Sequence, residues 1–326
     1  MSERKDNPKA SGKPTLRDVA AAAGVSVWTV SNTYSNAAKV AEATRQRVFD
    51  AAAALGYAGP HPAARSLARG RTGAIAFVAT DDADALLGDP AAALIARGLL
   101  AACHRGGYSL LLSGQSSGEM VDARVFFREL GVFDPRIPTV IVDGAGASGV
   151  EEVRADVRGA AAAVAAHLWG LGHRDIAVLA YAGADERLAG VRDGWGGSGP
   201  LPAFSVGDAL GRPNAAAGEA LARAALSRRP HPTALLALND TLAASALQAA
   251  HWMGLAVPGD VSVAGLDDLP GSAALGLTTA LIPYQPLGER AGDLLTARLA
   301  GDALPEFPDL PTALTIRRST GPPPTT

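Results

Sequence analysis

The sequence predicts an all-α helix-turn-helix unit at the N-terminus, followed by an α/β core of two lobes with parallel sheets. Three observations carry that prediction. Residues 15–56 show helical apolar spacing broken by glycine. From Gly73 onward, short apolar runs ending in polar residues alternate with alanine-rich helical stretches. The charge is also divided: residues 1–71 hold 11 Lys and Arg against 5 Asp and Glu, a net +6, while the whole chain carries −3. A basic module on an acidic body points to a polyanionic partner for the first part only.

The 326 residues are 48% hydrophobic, 19% charged and 5% aromatic, enough for a large core without disulfide or metal staples. The single cysteine, Cys103, excludes an intrachain disulfide and any multi-cysteine zinc site. No charge-free apolar run approaches the roughly 20 residues of a membrane span. The opening MSERKDNPKASGKP has no apolar stretch of the secretory type. A cytoplasmic protein with no membrane partner is expected.

Residues 1–14 read as a disordered arm and 321–326 as a tail. Thr15-Leu16-Arg17-Asp18 is a capping-box-like start, and Leu16, Val19, Ala20 and Ala23 follow helical spacing. Gly24 breaks that helix, and Ser26 can cap a second running to about Tyr34. A third runs from about Glu42 to Leu55, ended by Gly56, in a unit spanning 15–60. Within 61–72, PAARSLARG reads as a very short helix between Pro62 and Gly70, or simply as a linker. Two turns are too short to be stable alone.

The core spans 73–320. Its strand candidates are GAIAFVATDD, YSLLLSG, PTVIVDG, IAVLAYAG, TALLALND and VSVAGLDD. Ligands of such sheets sit beyond the strands' carboxyl ends. The polar residues expected there are Asp81, Asp82, Arg187, Asn239, Asp240, Asp267 and Asp268, which together suit a polar small molecule. Asp and Asn at such places also cap the helices that follow, and Asp240 and Asp268 are read first as caps.

TLRDVAAAAGVSVWTVSNTYSN resembles the helix-turn-helix of lac-repressor (LacI/GalR) family transcription regulators. PAARSL is similar to that family's hinge helix, and LGHRDIAVL, ERLAGVR, PTALLALND, VPGDVSVAGLDDL and ALGLTT to its effector-binding body. The resemblance covers about residues 15–320. It implies a DNA-binding headpiece with hinge, and a core like periplasmic sugar-binding proteins. Residues 73–155 with about 282–305 would form the lobe nearer DNA, and about 156–281 with 306–319 the other.

What the resemblance implies for residues is specific. Val27, Trp28 and Asn32 would face base edges of double-stranded operator DNA in the major groove. Thr15, Ser26, Thr29, Ser31 and Asn36 are candidate contacts of the headpiece with the duplex, positioning it on the phosphates. Leu67 would wedge into the minor groove and bend the duplex. Arg187, Asn239 and Asp267 match effector contacts, with Asp81 or Asp82 contributing from the other lobe. A guanidinium, an amide and a carboxylate suit vicinal sugar hydroxyls. The implied protein is a homodimeric regulator, most simply a repressor, on a palindromic operator. It needs no cofactor and no metal, and it is not an enzyme.

The sequence departs from the family's pattern at several points. Position 28 is Trp where a polar residue is usual; it either packs on a thymine methyl or covers the headpiece core. Asn32 stands where Arg is common; Arg pairs with guanine and Asn with adenine, so the base preferred at that contact is left open. Ala41 replaces a usual Ser cap. YAGPHPAARSL is one residue longer than usual before Leu67. Residues 81–90 and Ala209 lack aromatic rings that often stack on the ligand, and Ile282 replaces a usual Gln. The stretch 113–140 is short, as if a helix were trimmed. Alternative readings are a solute-binding protein, which the headpiece and the N-terminus disfavour, and a regulator with a non-sugar effector or none.

Overall fold

The computed structural model describes residues 14–35, 37–59, 71–80, 83–114, 120–197, 203–205, 215–305 and 308–325. The chain divides into two units at Thr72–Gly73. In the first, α1 (Leu16–Ala23), α2 (Val27–Ser35) and α3 (Glu42–Leu55) close on a small core of Val19, Ala20, Val30, Val48 and Ala52. Gly24 and Gly56 end α1 and α3 at φ +63° and +66°, the left-handed turn that glycine takes without strain. Asp18 accepts from the Thr15 N–H at 2.8 Å and the Thr15 hydroxyl at 2.7 Å. Ser26 accepts from the Thr29 N–H at 3.0 Å, so α2 starts capped. Ala41 gives α3 no side-chain cap.

The second unit holds two sheets. In the first, β1 (Ala74–Ala79), β2 (Ser109–Gly114), β3 (Ala123–Phe127), β4 (Thr139–Val142) and β5 (Glu151–Val153) lie in the order β2-β1-β3-β4-β5, all parallel. In the second, β6 (Ile176–Ala180), β7 (Ala203–Ser205), β8 (Ala234–Ala237), β9 (Ser262–Asp267), β10 (Thr278–Leu281) and β11 (Ala313–Thr315) lie in the order β11-β10-β9-β8-β6-β7. Only β11 is antiparallel, at the edge.

The helices are α4 (Ala83–Gly88), α5 (Pro90–Gly106), α6 (Val157–Gly170), α7 (Asp185–Gly194), α8 (Ala215–Leu226), α9 (Asp240–Trp252), α10 (Ser272–Leu275) and α11 (Tyr284–Ala300). β1 shows why these strands read as unbroken apolar runs. Ile75 and Phe77 enter the large core, while Ala76 and Val78 enter a second cluster on the opposite face with Phe126 and Ile141. That second face is packed by Leu130, Phe133 and Val150. Among the described residues of 113–140 there is no helix.

After β10 the chain leaves the second sheet, and α11 packs along α5 beside the first. The approach is close. A Cβ on Gly98 would sit 2.1 Å from the Gln285 carbonyl oxygen, and one on Gly288 2.1 Å from that of Ile95. The C-terminal segment is tied back by histidine: buried His173 bonds Thr233 and the Gly321 carbonyl, both at 2.9 Å, and His167 bonds Thr320 at 3.0 Å.

Candidate effector cleft and DNA-reading helix

The two sheets of the core meet in a buried charged cluster. Arg128 follows β3, Asp143 follows β4 and Asp267 ends β9, so three strand ends converge, as parallel sheets require of a ligand cleft. All three have positive φ, +61°, +55° and +123°, and Asp268 follows at +50°. Among the described residues these are the only non-glycine residues in that region. Left-handed backbone costs about 1–3 kcal/mol per residue, and such strain gathers at binding sites.

Arg187, on the first turn of α7, reaches into the cluster. Its Nη1 donates to Asp267 Oδ1 and to the Leu238 carbonyl, both at 2.8 Å, and its Nη2 donates to the Tyr284 hydroxyl at 2.7 Å. Tyr284, at the start of α11, donates in turn to Asp267 Oδ1 at 2.7 Å. From the first sheet, Arg128 Nη2 donates to the same hydroxyl at 3.1 Å and Nη1 to Asp89 at 3.1 Å. Asp143 lies 3.5 Å from Arg128 Nε and 3.6 Å from Arg187 Nη2. The Tyr284 hydroxyl thus uses its one donor and both acceptors, with a guanidinium from each lobe.

Burial acts against the charge on Arg187. The Asp267 carboxylate, with Asp143 beside it, more than reverses it and holds the guanidinium charged. Burial also drives the Tyr181 and Tyr284 phenols above their ordinary range, so both stay neutral.

A second layer supports the Asp267 turn. Asp240 accepts from the Leu269 N–H at 2.9 Å, the Ser272 hydroxyl at 2.5 Å and the Thr279 hydroxyl at 2.6 Å. Thr279 in turn accepts from the Asp268 N–H at 3.3 Å. Asp268 pairs with Arg317 at 2.8 Å. The expectation that Asp240 and Asp268 cap helices is therefore corrected: α9 is capped by Asn239, whose Oδ1 accepts from the Leu242 N–H at 2.8 Å. Burial, then the neighbouring Asp267 charge, pushes the Asp240 carboxyl up to about 7.

Two cavities flank the cluster. One of about 520 Å³ is lined by Arg128, Asp143, Arg187 and Tyr181 among others. The other, of about 90 Å³, is lined by Val78, Leu86, Phe127 and Tyr181. Aromatic surface therefore comes from Phe127 and Tyr181, not from the positions where the family resemblance placed it. Asp81, Asp82 and Ala209 lie outside the described residues. Arg187, Asn239 and Asp267 are each 3–4% exposed. Asp267's partners are Arg187 and Tyr284, so this carboxylate does not depend on a ligand for its hydrogen bonds. Ile282 is core, its N–H donating to the Asp267 carbonyl at 3.2 Å.

Sequence reasoning missed Arg128, Asp143 and Tyr284. Asp143 was findable, because PTVIVDG ends a strand with a carboxylate as VSVAGLDD does. Tyr284 carried no such signal, and β3 was not among the strand candidates, so Arg128 had no strand end to belong to. Cys103 is buried core, and burial raises its thiol to about 11, far from a nucleophile's range. Among the described residues no His, Cys, Asp and Glu group could hold a metal. No described helix is long and apolar enough to cross a membrane.

In the first unit, Val27 is 43% and Trp28 66% exposed. Trp28 is not part of the headpiece core cluster. Asn32 Nδ2 donates to the Trp28 carbonyl at 2.9 Å. The Ser26 and Thr29 hydroxyls bond each other at 2.9 Å, and Thr15 is bound to Asp18. Ser31 is exposed on α2, while Asn36 and Leu67 lie outside the described residues.

A basic helix-turn-helix unit joined to a two-lobed α/β core defines a DNA-binding transcription regulator. The comparisons agree. Residues 15–59 match the model of bacterial regulatory proteins of the lacI family, and 165–320 that of the periplasmic binding protein-like domain. An HTH-type transcriptional regulator of Mycolicibacterium smegmatis is 33% identical over 97% of this chain and 99% of its own. The lac repressor dimer bound to operator and the anti-inducer ONPF superposes with a TM-score of 0.78 at 26% identity, covering 95% of this chain and 100% of that one. A complex of the regulator CelR with cellobiose gives 0.65 at 28% identity, over 94% and 99%. The chain belongs to the LacI family of bacterial regulatory proteins.

Proposed function

We propose that this regulator is a cytoplasmic repressor that binds a palindromic operator as a homodimer and changes its affinity when a small polar effector, a sugar, enters the cleft. The headpiece would span residues 15–60, the hinge 61–72 and the effector core 73–320. Val27, Trp28 and Asn32 would face bases. Ser26, Thr29, Ser31, Thr15 and Asn36 would position the headpiece on phosphates, and Leu67 would open the minor groove.

The observation that carries the effector reading is the Tyr284 hydroxyl, bonded by Arg187 of one lobe and Arg128 of the other. A polyol reaching Arg187, Asn239 and Asp267 through the larger cavity must rearrange these bonds. It would thereby favour one arrangement of the lobes, and a ligand shifts an equilibrium only by such differential contact. Tyr181, which lines that cavity, supplies ring surface for a sugar's apolar face. The CelR–cellobiose neighbour supports a sugar over other polar metabolites.

The test is a thermal-shift screen of the full chain against free mono- and disaccharides, cellobiose included, and against nucleosides. Each hit is then titrated against the chain's selected DNA site. A sugar that raises the melting temperature and moves DNA affinity supports the reading. A nucleoside that does both, with no sugar active, replaces the sugar assignment. Ligands that bind without moving DNA affinity contradict control by this cleft.

A further inference from the structure

The DNA-reading helix α2, VWTVSNTYS, carries no charged residue. The paired cationic donors that match guanine O6 and N7 are therefore missing from it. Its polar groups near the N-terminus are partly engaged within the helix itself: the Ser26 and Thr29 hydroxyls bond each other, and the Asn32 amide gives one of its two hydrogens to the Trp28 carbonyl. What α2 offers at its start is apolar, an indole 66% exposed beside an isopropyl group 43% exposed. Neither belongs to the unit's core cluster. On a helix that faces DNA, an exposed indole and isopropyl group can be buried only against an apolar group of the duplex. In the major groove of duplex DNA the one apolar group a base edge presents is the C5-methyl of thymine.

We infer that Trp28 and Val27 read thymine methyl groups, so that the half-site places thymine beneath the N-terminal turn of α2. This rests on the placement of α2 in the major groove proposed above. Among the described residues the unit's cationic side chains, Arg17, Lys39, Arg45, Arg47 and Arg71, stand outside α2 and would supply phosphate attraction without base choice. Specificity at these positions is then carried by shape and methyl burial, with Asn32 Oδ1 as an acceptor facing the amino group of adenine or cytosine.

The experiment selects a binding site for the full chain from a random duplex pool, then replaces each thymine of the selected site by uracil, which removes only the methyl. At one or two positions per half-site the change should weaken binding roughly fourfold, the worth of one buried methyl. That sensitivity should vanish in Trp28→Ala, or in Val27→Ala for the position under Val27, while other thymines stay indifferent. Replacing cytosine by 5-methylcytosine at a sensitive position carrying C·G should restore part of the loss. A selected site at which no uracil matters, or at which the sensitivity persists unchanged in both variants, overturns the inference alone. A chain that selects no sequence overturns the placement of α2 as well.

Discussion

The Tyr284 hydroxyl lies 2.7 Å from Asp267 Oδ1 and donates to it, while accepting from Arg187 at 2.7 Å and Arg128 at 3.1 Å. One hydroxyl at the start of α11 thus joins side chains from both lobes. Its position follows from the chain path: α11 begins immediately after the crossover from β10, where the second sheet hands the chain to the first.

Tyr284→Phe keeps the ring, which packs edge-on against Phe127 at 6.1 Å, and removes only the hydroxyl. Arg187 and Asp267 each lose a buried partner. The expected cost is about 1–3 kcal/mol of unfolding free energy, read as a lower urea midpoint at unchanged slope. An unchanged midpoint would show that the hydroxyl's three bonds carry no net stability.

Read from sequence alone as an effector contact, Asp267 would on change to Ala lose the effector response and spare operator binding without ligand. The structure predicts otherwise. The substitution leaves Arg187 buried with its nearest carboxylate gone, and breaking a buried pair from one side costs about 3–5 kcal/mol. Asp267→Asn retains an acceptor oxygen and should lose less. Calorimetric melting of both variants separates these outcomes; equal, small losses would contradict the pairing.

Gly98→Ala should be among the most damaging single-methyl changes in the core. The new Cβ would sit 2.1 Å from the Gln285 carbonyl oxygen, which is backbone and cannot rotate away. α5 and α11 must separate, at a cost of about 1–3 kcal/mol or more. Gly88→Ala, with open space around its Cβ, is the control. Similar melting temperatures for the two variants would contradict the close helix approach.

Asp240 gives a pH signature. Its carboxyl is held up at about 7 in the fold, chiefly by burial, against an ordinary value of 3.8. Between those values the folded state holds a proton that the unfolded chain has released. This group's stabilisation is therefore full below about pH 4 and is lost as pH rises through 7. The stability difference between wild type and Asp240→Asn, measured by urea unfolding from pH 4 to 8, should favour wild type most at the acid end. A pH-independent difference would show that the carboxyl titrates as it does in the unfolded chain.

Much of this architecture was legible in the residues because it rests on local signals. Gly24 and Gly56 mark helix ends by their φ, Ser26 caps α2, and the apolar runs of β1, β4, β6, β8 and β9 are too uniform for anything but buried parallel strands. The polar ends of those runs drew attention to Arg187, Asn239 and Asp267. What was illegible is long-range. Arg128 and Tyr284 stand 156 positions apart and meet only because α11 returns to the first sheet. Asp240 reads as a cap until the fold brings Ser272 and Thr279 against it. The exposure of Trp28 depends on which face of α2 packs inward, and the sequence of a nine-residue helix left that open.

The most direct test of the central claim is operator recognition by the intact chain. The full chain is incubated with a random duplex pool, the retained sequences are read, and the best duplex is titrated against a scrambled one at physiological salt. The account predicts an inverted repeat bound by two chains, at least about a thousandfold tighter than the scrambled duplex. Equal affinity for both duplexes, with no sequence enriched, would contradict it.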